Sequence, residues 1–362
     1  MSNSDIRVVP GPANYFSHPG SLERLSDFFS ADQLSRAVWV YGERALAGAE
    51  PFLPAAFHLP EAKKIRFTGH CSERDVAGLV QASGDDRAVV IGVGGGALLD
   101  SAKVLARRLG VPLVAIPTIA ATCAAWTPLS VWYSDAGQAL NFEIFDDANF
   151  LVLVEPRIIL NAPAEYLLAG IGDTLAKWYE AVVLAPQPKA LPLTVRLGIN
   201  DALAIRDVLL ASSETALADQ RRGDLTQAFR DVVEAIIAGG GMVGGLGERY
   251  TRVAAAHAVH NGLTVLPQTD KFLHGTKVAY GILVQSALLG QDDVLAQLVQ
   301  AYQRFNLPTT LAALEVDINN RAELDRVIAH TLRPGESIHY LPVTLTPEVL
   351  RAAFEKVEYF SR

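Results

Sequence analysis

Up to about residue 155, apolar residues gather in short runs that alternate with longer stretches of helical period. The β-rich runs are Ala37–Tyr41 (AVWVY), Lys64–Phe67, Ala88–Gly92 (AVVIG), Pro112–Ile116 (PLVAI) and Phe150–Val154 (FLVLV). Helical patterns lie between several of them, as at Glu73–Ala82 and Ala97–Leu109. This alternation predicts a parallel sheet with crossover helices. From Pro156–Pro163 onward the chain becomes Ala- and Leu-rich with a helical period, at Leu167–Leu184, Leu193–Ser212, Thr226–Ile237, Thr251–Leu263 and Gly275–Leu289, and strand runs cease. The expectation is an α/β dinucleotide-binding domain over residues 1–160 and an all-α domain over residues 161–362.

The length of 362 residues agrees with two cores, since one core rarely grows that large. A net charge of −8 with no basic run excludes nucleic acid as a partner, because phosphate binding needs concentrated Lys and Arg. Residues 111–133 are uncharged over a membrane-spanning length, yet Pro112, Pro117 and Pro128 would break such a helix. They read as buried strand and loop, and no membrane partner is expected. Two cysteines, Cys71 and Cys123, cannot build a disulfide framework or a Cys-based zinc site. The stretch MSNSDIRVVPG lacks a signal pattern, which makes the cytoplasm the expected compartment.

Two places carry candidate chemistry. The run AVVIG leads directly into Val93-Gly94-Gly95-Gly96-Ala97-Leu98-Leu99-Asp100, and a helical pattern follows to Gly110. Glycines at a strand-to-helix turn let backbone N–H groups approach an anion such as a nucleotide pyrophosphate. The spacing is not the G-x-G-x-x-G fingerprint, and a tight turn packed on a neighbouring strand would look the same. Asp100 stands in an apolar run and reads as buried near the loop, whereas Lys103 reads as an ordinary solvated charge.

The second place holds three of the eight histidines: His257, His260 and His274. A catalytic metal site uses three protein ligands and keeps one position open. His257 and His260 share a helix side at i,i+3, and His274 opens the next helix after a Pro-containing loop. Asp173, in Ala169-Gly170-Ile171-Gly172-Asp173, could supply a carboxylate. Core histidines and a helix-capping aspartate account for the same residues equally well.

Together, the Gly-Gly-Gly-x-x-x-Asp loop, the Gly-x-Gly-Asp, and His-Ala-x-His-Asn-Gly with a later His-Gly resemble the glycerol dehydrogenase branch of the metal-dependent (iron-type) alcohol dehydrogenases. The resemblance covers essentially the whole chain. It implies the dehydroquinate synthase-like architecture, an α/β nucleotide-binding part followed by a helical metal-binding part. It implies a divalent metal on Asp173, His257 and His274. A fourth ligand of iron-type relatives, a histidine one turn after the aspartate, is replaced by Lys177, which favours zinc. It places Gly94, Gly95, Gly96, Ala97, Leu98, Thr118, Thr127, Leu129 and Tyr133 against NAD(H) or NADP(H), with Asp100 toward the nicotinamide half. His260 would face cofactor and substrate and relay a proton.

Departures from the branch bear on the substrate. The position of an acid that binds polyol hydroxyls is Cys123 here, with bulky Trp126 near it. A triol then loses its acceptor, and an anionic substrate loses a repulsion. The expected activity is therefore NAD(P)H-dependent reduction of 2-oxo acids to 2-hydroxycarboxylates, with glycerol or 1,2-diol oxidation the alternative. Arg252 and Lys177 are the cations expected to reach the substrate carboxylate. After AVWVY the chain has Gly42-Glu43-Arg44 where relatives place an acid for the adenosine ribose, so NADP(H) is admitted beside NAD(H). Relatives form dimers or octamers, and a homo-oligomer is expected.

Overall fold

In a computed structural model, residues 6–135, 137–186 and 190–362 are described; residues 1–5, where the stretch read for a targeting signal begins, lie outside them. The chain divides into two compact units. One holds Val9–Pro163 and Asp219–Gly245, and the other holds Ala164–Ala218 and Leu246–Arg362 with residues 6–8. Thus the helical segment Asp219–Gly245 groups with the sheet-bearing unit rather than with its sequence neighbours.

The first unit is built on strands β1 (Asn14–Ser17), β2 (Ala37–Tyr41), β3 (Lys63–Arg66), β4 (Val89–Gly94), β5 (Leu113–Pro117) and β8 (Leu151–Val154). They form one parallel sheet in the order β1-β8-β5-β4-β2-β3. Strands β4, β5 and β8 are buried along their whole length, which explains why they read as continuous apolar runs instead of alternating ones. The remaining strands, β6 (Leu129–Tyr133) and β7 (Ala139–Ile144), form an antiparallel hairpin. Every residue of β7 is exposed, so no core periodicity marks it; β6 falls in the uncharged stretch already read as strand and loop. Within the described residues, no helix is long and apolar enough to cross a membrane.

Strand order reverses between β2 and β4: β3 lies on one side of β2, while β4 and β5 lie on the other. In open α/β sheets such a reversal leaves a crevice at the carboxyl ends of the strands, where ligands bind. The glycine turn sits at the carboxyl end of β4, and the helix Gly96–Leu109 follows it directly. That helix stops at Gly110, whose φ of 67° is the left-handed conformation of a glycine C-terminal cap.

The second unit is helical: Ala164–Leu184, Ala255–Leu263, His274–Leu288, Asp292–Phe305, Arg321–Thr331 and Pro347–Phe360 surround a shared core, with most of Leu193–Arg222 beside them. Three of these cross unusually closely. A Cβ on Gly275 would stand 1.9 Å from the Ala169 carbonyl oxygen and 2.9 Å from Asp173 Cβ. One on Gly172 would stand 2.5 Å from the Gly275 carbonyl oxygen, and one on Gly281 would stand 2.2 Å from that of Ala256. Glycine is therefore required at each crossing for steric reasons.

The substitution Gly275→Ala must push two helix backbones apart, with an expected loss of at least about 2 kcal/mol in denaturant unfolding. Gly48→Ala, where a Cβ meets only open space on the helix Glu43–Ala49, should be neutral or stabilise by roughly 0.5–1 kcal/mol. Equal unfolding midpoints for the two variants would contradict the close-crossing argument.

Candidate functional site

The tight crossing brings one carboxylate and two imidazoles together. Asp173 lies mid-way along Ala164–Leu184, His257 in the first turns of Ala255–Leu263, and His274 at the start of His274–Leu288. His257 Nε2 is 3.5 Å and His274 Nε2 is 3.2 Å from Asp173 Oδ1. Ligand atoms of all three fall within 4.8 Å of one another, the one such His/Cys/Asp/Glu cluster among the described residues. Asp173 Oδ1 is buried and accepts no well-formed hydrogen bond, although two ring nitrogens stand close to it. An orphaned buried oxygen facing two imidazole nitrogens is a donor set that could hold a divalent cation. Burial alone would raise the Asp173 carboxyl, but its attraction to His257, His274 and the Lys177 charge outweighs this and holds it well below the usual range.

His257 is held from behind. Glu180, fully buried, faces the ring with Oε2 2.7 Å from His257 Nδ1. Its other oxygen accepts the backbone N–H groups of Ala254 (2.7 Å) and His257 (3.1 Å). Gln285 Oε1 accepts those of Ala255 and Ala256, while its amide donates to the Tyr179 carbonyl. Helix Ala255–Leu263 has no side-chain cap of its own, so Glu180 and Gln285 satisfy its otherwise orphaned N–H groups. With Nδ1–H donated to Glu180, Nε2 of His257 faces Asp173 and would offer its lone pair once deprotonated, the arrangement typical of a metal-ligating histidine. Burial pushes the metal-free imidazole down, but the Glu180 and Asp173 charges win and raise it to about 9. Sequence reading did not find Glu180; the available signal was an acid seven residues, or two turns, past Asp173 in an apolar helix.

His260 packs on His274, its ring centroid 4.2 Å away, and both its ring nitrogens are engaged: Nε2 by His274 Nδ1 at 3.1 Å and Nδ1 by Asn261 Oδ1 at 3.0 Å. Burial, with the nearby His274, Lys277 and His257 charges, holds it well below the ordinary imidazole range. Lys177, half-buried, follows Asp173 by one helical turn. Arg252 is also half-buried, 4.0 Å from Glu248 Oε1, and burial lowers its guanidinium.

In the sheet unit, the helix Gly96–Leu109 has no side-chain cap at its N-terminus, so its first N–H groups are available to an anion. A Cβ on Gly94 would meet Leu98 Cδ1 at 2.8 Å and one on Gly95 would meet Ile119 Cδ1 at 2.8 Å, while one on Gly96 would find 3.4 Å of clearance. The turn cradles a cavity lined by Gly95, Gly96, Leu99, Pro117, Ile119 and Thr122, among others. Ala97 is exposed at the helix start, whereas Leu98 is buried beneath Gly94 and can offer a ligand only its backbone. Thr118 is buried, its N–H donating to the Gly94 carbonyl. Thr127 and Leu129 are half-buried, and Tyr133 stacks on His70.

Two of the expected placements change. Lys103 is buried, not solvated: its ammonium pairs with Asp100 Oδ1 at 2.9 Å and donates to the Leu129 carbonyl. Asp100 Oδ2 accepts the Val131 N–H at 3.1 Å, and the Asp100 carbonyl accepts from Ser130. Asp100 and Lys103 thus bind the glycine-loop helix to β6 through a buried, fully partnered ion pair. Trp126 is likewise packed away, its indole N–H on the Pro10 carbonyl and its ring against Tyr15, Gly11 and Gly241. Cys123 is half-buried, and its carbonyl anchors the N–H groups of Trp126 and Thr127.

Comparison with known proteins accords with this geometry. Residues 12–156 match the family described as iron-containing alcohol dehydrogenase. The chain is 80% identical over 360 residues to hydroxycarboxylate dehydrogenase A of Escherichia coli (strain K12), covering 99% of each. It is 34% identical to a glycerol dehydrogenase of Pseudomonas putida, covering 96% of each. The crystal structure of glycerol dehydrogenase from Schizosaccharomyces pombe superposes with a TM-score of 0.85 at 29% identity, over 99% of this chain and 92% of that one. With such relatives along its whole length, the chain belongs to the iron-containing alcohol dehydrogenase family, in its glycerol dehydrogenase-like branch.

Proposed function

We propose that this oxidoreductase reduces 2-oxo acids to 2-hydroxycarboxylates with NADH or NADPH, using one zinc ion on Asp173, His257 and His274. The observation that carries the reading is the 80% identity, over 99% of both chains, to hydroxycarboxylate dehydrogenase A. A divalent ion there supplies Lewis acidity toward the C2 carbonyl oxygen, and the reduced nicotinamide supplies the hydride. Zinc is favoured because the ligand set is two imidazoles and one carboxylate, with Lys177 where iron-type relatives carry another histidine.

The chain's own groups have separable tasks. Glu180 orients His257 by holding its Nδ1–H, so that Nε2 is the nitrogen left to meet the ion. The N–H groups at Gly95–Leu98 take the pyrophosphate, Asp100 with Lys103 holds the hairpin that carries Leu129 and Tyr133, and Thr118 and Thr127 complete the cofactor contacts. Cys123 leaves the substrate pocket without a carboxylate, which favours an anionic substrate over a polyol. Arg252 or Lys177 binds the substrate carboxylate. At the carboxyl ends of β2 and β3, Tyr41 and Arg66 are register partners, and Glu43 pairs with Arg66 at 2.5 Å. An acid so engaged repels a ribose 2′-phosphate weakly, and exposed Arg44 offers it a partner, so both nicotinamide cofactors serve. A cytoplasmic homo-oligomer completes the reading.

Loss of NAD(P)H absorbance at 340 nm with a panel of 2-oxo acids should exceed, in kcat/KM, any oxidation of glycerol or 1,2-propanediol; the opposite ranking supports the polyol alternative and sinks this one. Michaelis constants for NADH and NADPH should be comparable, and a strong preference for NADH would remove the argument from Glu43 and Arg44. Arg252→Ala should raise the Michaelis constant of a 2-oxo acid roughly tenfold or more relative to a neutral ketone; equal effects on both reject Arg252 as the carboxylate clamp. Replacing Glu180 by Gln sets an amide NH2 against either His257 Nδ1–H or the backbone N–H groups of Ala254 and His257, and zinc affinity in chelator competition should fall about 10–100-fold.

A further inference from the structure

Four links run in line from exposed Arg333, through buried Glu336, to the His274 ring. Arg333 donates to Glu336 Oε1 from Nε at 2.7 Å and from a terminal guanidinium nitrogen at 2.6 Å. Asn261 Nδ2 donates to Glu336 Oε2 at 2.9 Å. Asn261 Oδ1 stands 3.0 Å from His260 Nδ1, and His260 Nε2 stands 3.1 Å from His274 Nδ1. His274 then turns Nε2 toward Asp173 Oδ1, at 3.2 Å.

The direction of this line is not free. A carboxylate has no proton to give, so the Asn261 atom facing Glu336 must be its NH2 group. The amide oxygen consequently faces His260 and requires a proton on His260 Nδ1. In a neutral ring His260 Nε2 then carries a lone pair, which requires a proton on His274 Nδ1. His274 Nε2 is left with its lone pair toward Asp173. Reversing any link would set two acceptors, or two N–H groups, against each other at about 3 Å. A proton added to His260 Nε2 would confront His274 Nδ1–H and force the other tautomer, whose Nε2–H points at the metal position.

We propose that Glu336, anchored by Arg333, acts through Asn261 and His260 to fix the tautomer of His274, so that His260 is a positioning residue for metal binding and not the carrier of a substrate proton. This rests on the reading of Asp173, His257 and His274 as metal ligands. The site then has two unrelated tautomer locks, Glu180 on His257 directly and Glu336 on His274 through two side chains. In both the terminal group is a buried carboxylate.

The test uses the full chain, with zinc affinity measured by competition with a chromophoric chelator. His260→Leu and Asn261→Leu should each weaken zinc about 10–100-fold, as loss of outer-shell partners does elsewhere. His260→Gln, which restores an acceptor for His274 Nδ1–H and a donor for Asn261 Oδ1, should recover most of that loss, whereas Glu336→Gln, whose single amide oxygen cannot serve both Arg333 and Asn261, should weaken zinc in the same direction as the leucine variants. Because the leucine variants could misfold, a second measurement uses the wild-type chain. Labelled with 15N-histidine and loaded with 113Cd, it should show metal coupling at Nε2 of His257 and His274 and a proton on Nδ1 of His260. Unchanged zinc affinity in a folded His260→Leu chain, or a proton on His260 Nε2, overturns the proposal while leaving the ligand assignment intact. A wild-type chain that takes up no zinc overturns the ligand assignment, and this proposal with it.

Discussion

One buried carboxylate organises the helical unit. Asp173 stands inside a helix whose neighbours approach so closely that glycine is required at the crossing, and its Oδ1 is removed from solvent without a well-formed hydrogen bond. A charge in that position is costly unless opposite charge or well-aligned donors compensate it. The ring nitrogens of His257 and His274 are near enough to attract it but not aligned to donate to it. In the proposed site a cation between the three side chains would compensate this charge, a task that falls to a proton on His257, raised to about 9, when no metal is bound. The close packing bears on the site as well as on the core, since it sets how near the three side chains stand to one another.

The same economy governs Glu180. A helix end without a cap leaves N–H groups that must find acceptors, and Glu180 and Gln285 provide them from two other helices. One carboxylate oxygen of Glu180 completes the backbone while the other sets the His257 ring. Stability and ligand geometry are coupled at that residue, as they are coupled at Asp100 and Lys103 in the sheet unit. There a buried ion pair ties the glycine-loop helix to the hairpin, and neither charge is left for solvent.

How much of this the sequence shows depends on the range of the interaction involved. Parallel strands buried on both faces write themselves as AVVIG or FLVLV, and all five β-rich runs, the mostly exposed β3 among them, became sheet strands within two residues of their expected ends. The exposed β7 has no buried face to leave a period, and β1 is a four-residue edge strand recognisable only by its partner β8. Asp173, His257 and His274 were found through the motif resemblance, since i,i+3 spacing and a capping aspartate fit core residues as well. Lys103 was misread because its burial depends on the Leu129 carbonyl, 26 residues away, and no local pattern encodes that. Glu180 escaped for the same reason, its role being defined by a helix end 74 residues on.

Exposure across the three ligand side chains is graded, 8% for Asp173, 14% for His257 and 44% for His274. In the proposed site the open position of the ion would be reached from the wet side, which would put His274 at the mouth. A solvent-facing imidazole is also the one most free to rotate or to change tautomer, because packing does least to restrain it. His257, deep in the unit, is restrained by a single short contact to Glu180. His274 is restrained instead by a line of polar groups that begins at a buried, Arg-anchored carboxylate and ends on its outer nitrogen. The longer tether is found where solvent competes most, which is where an orientation set by packing alone would fail.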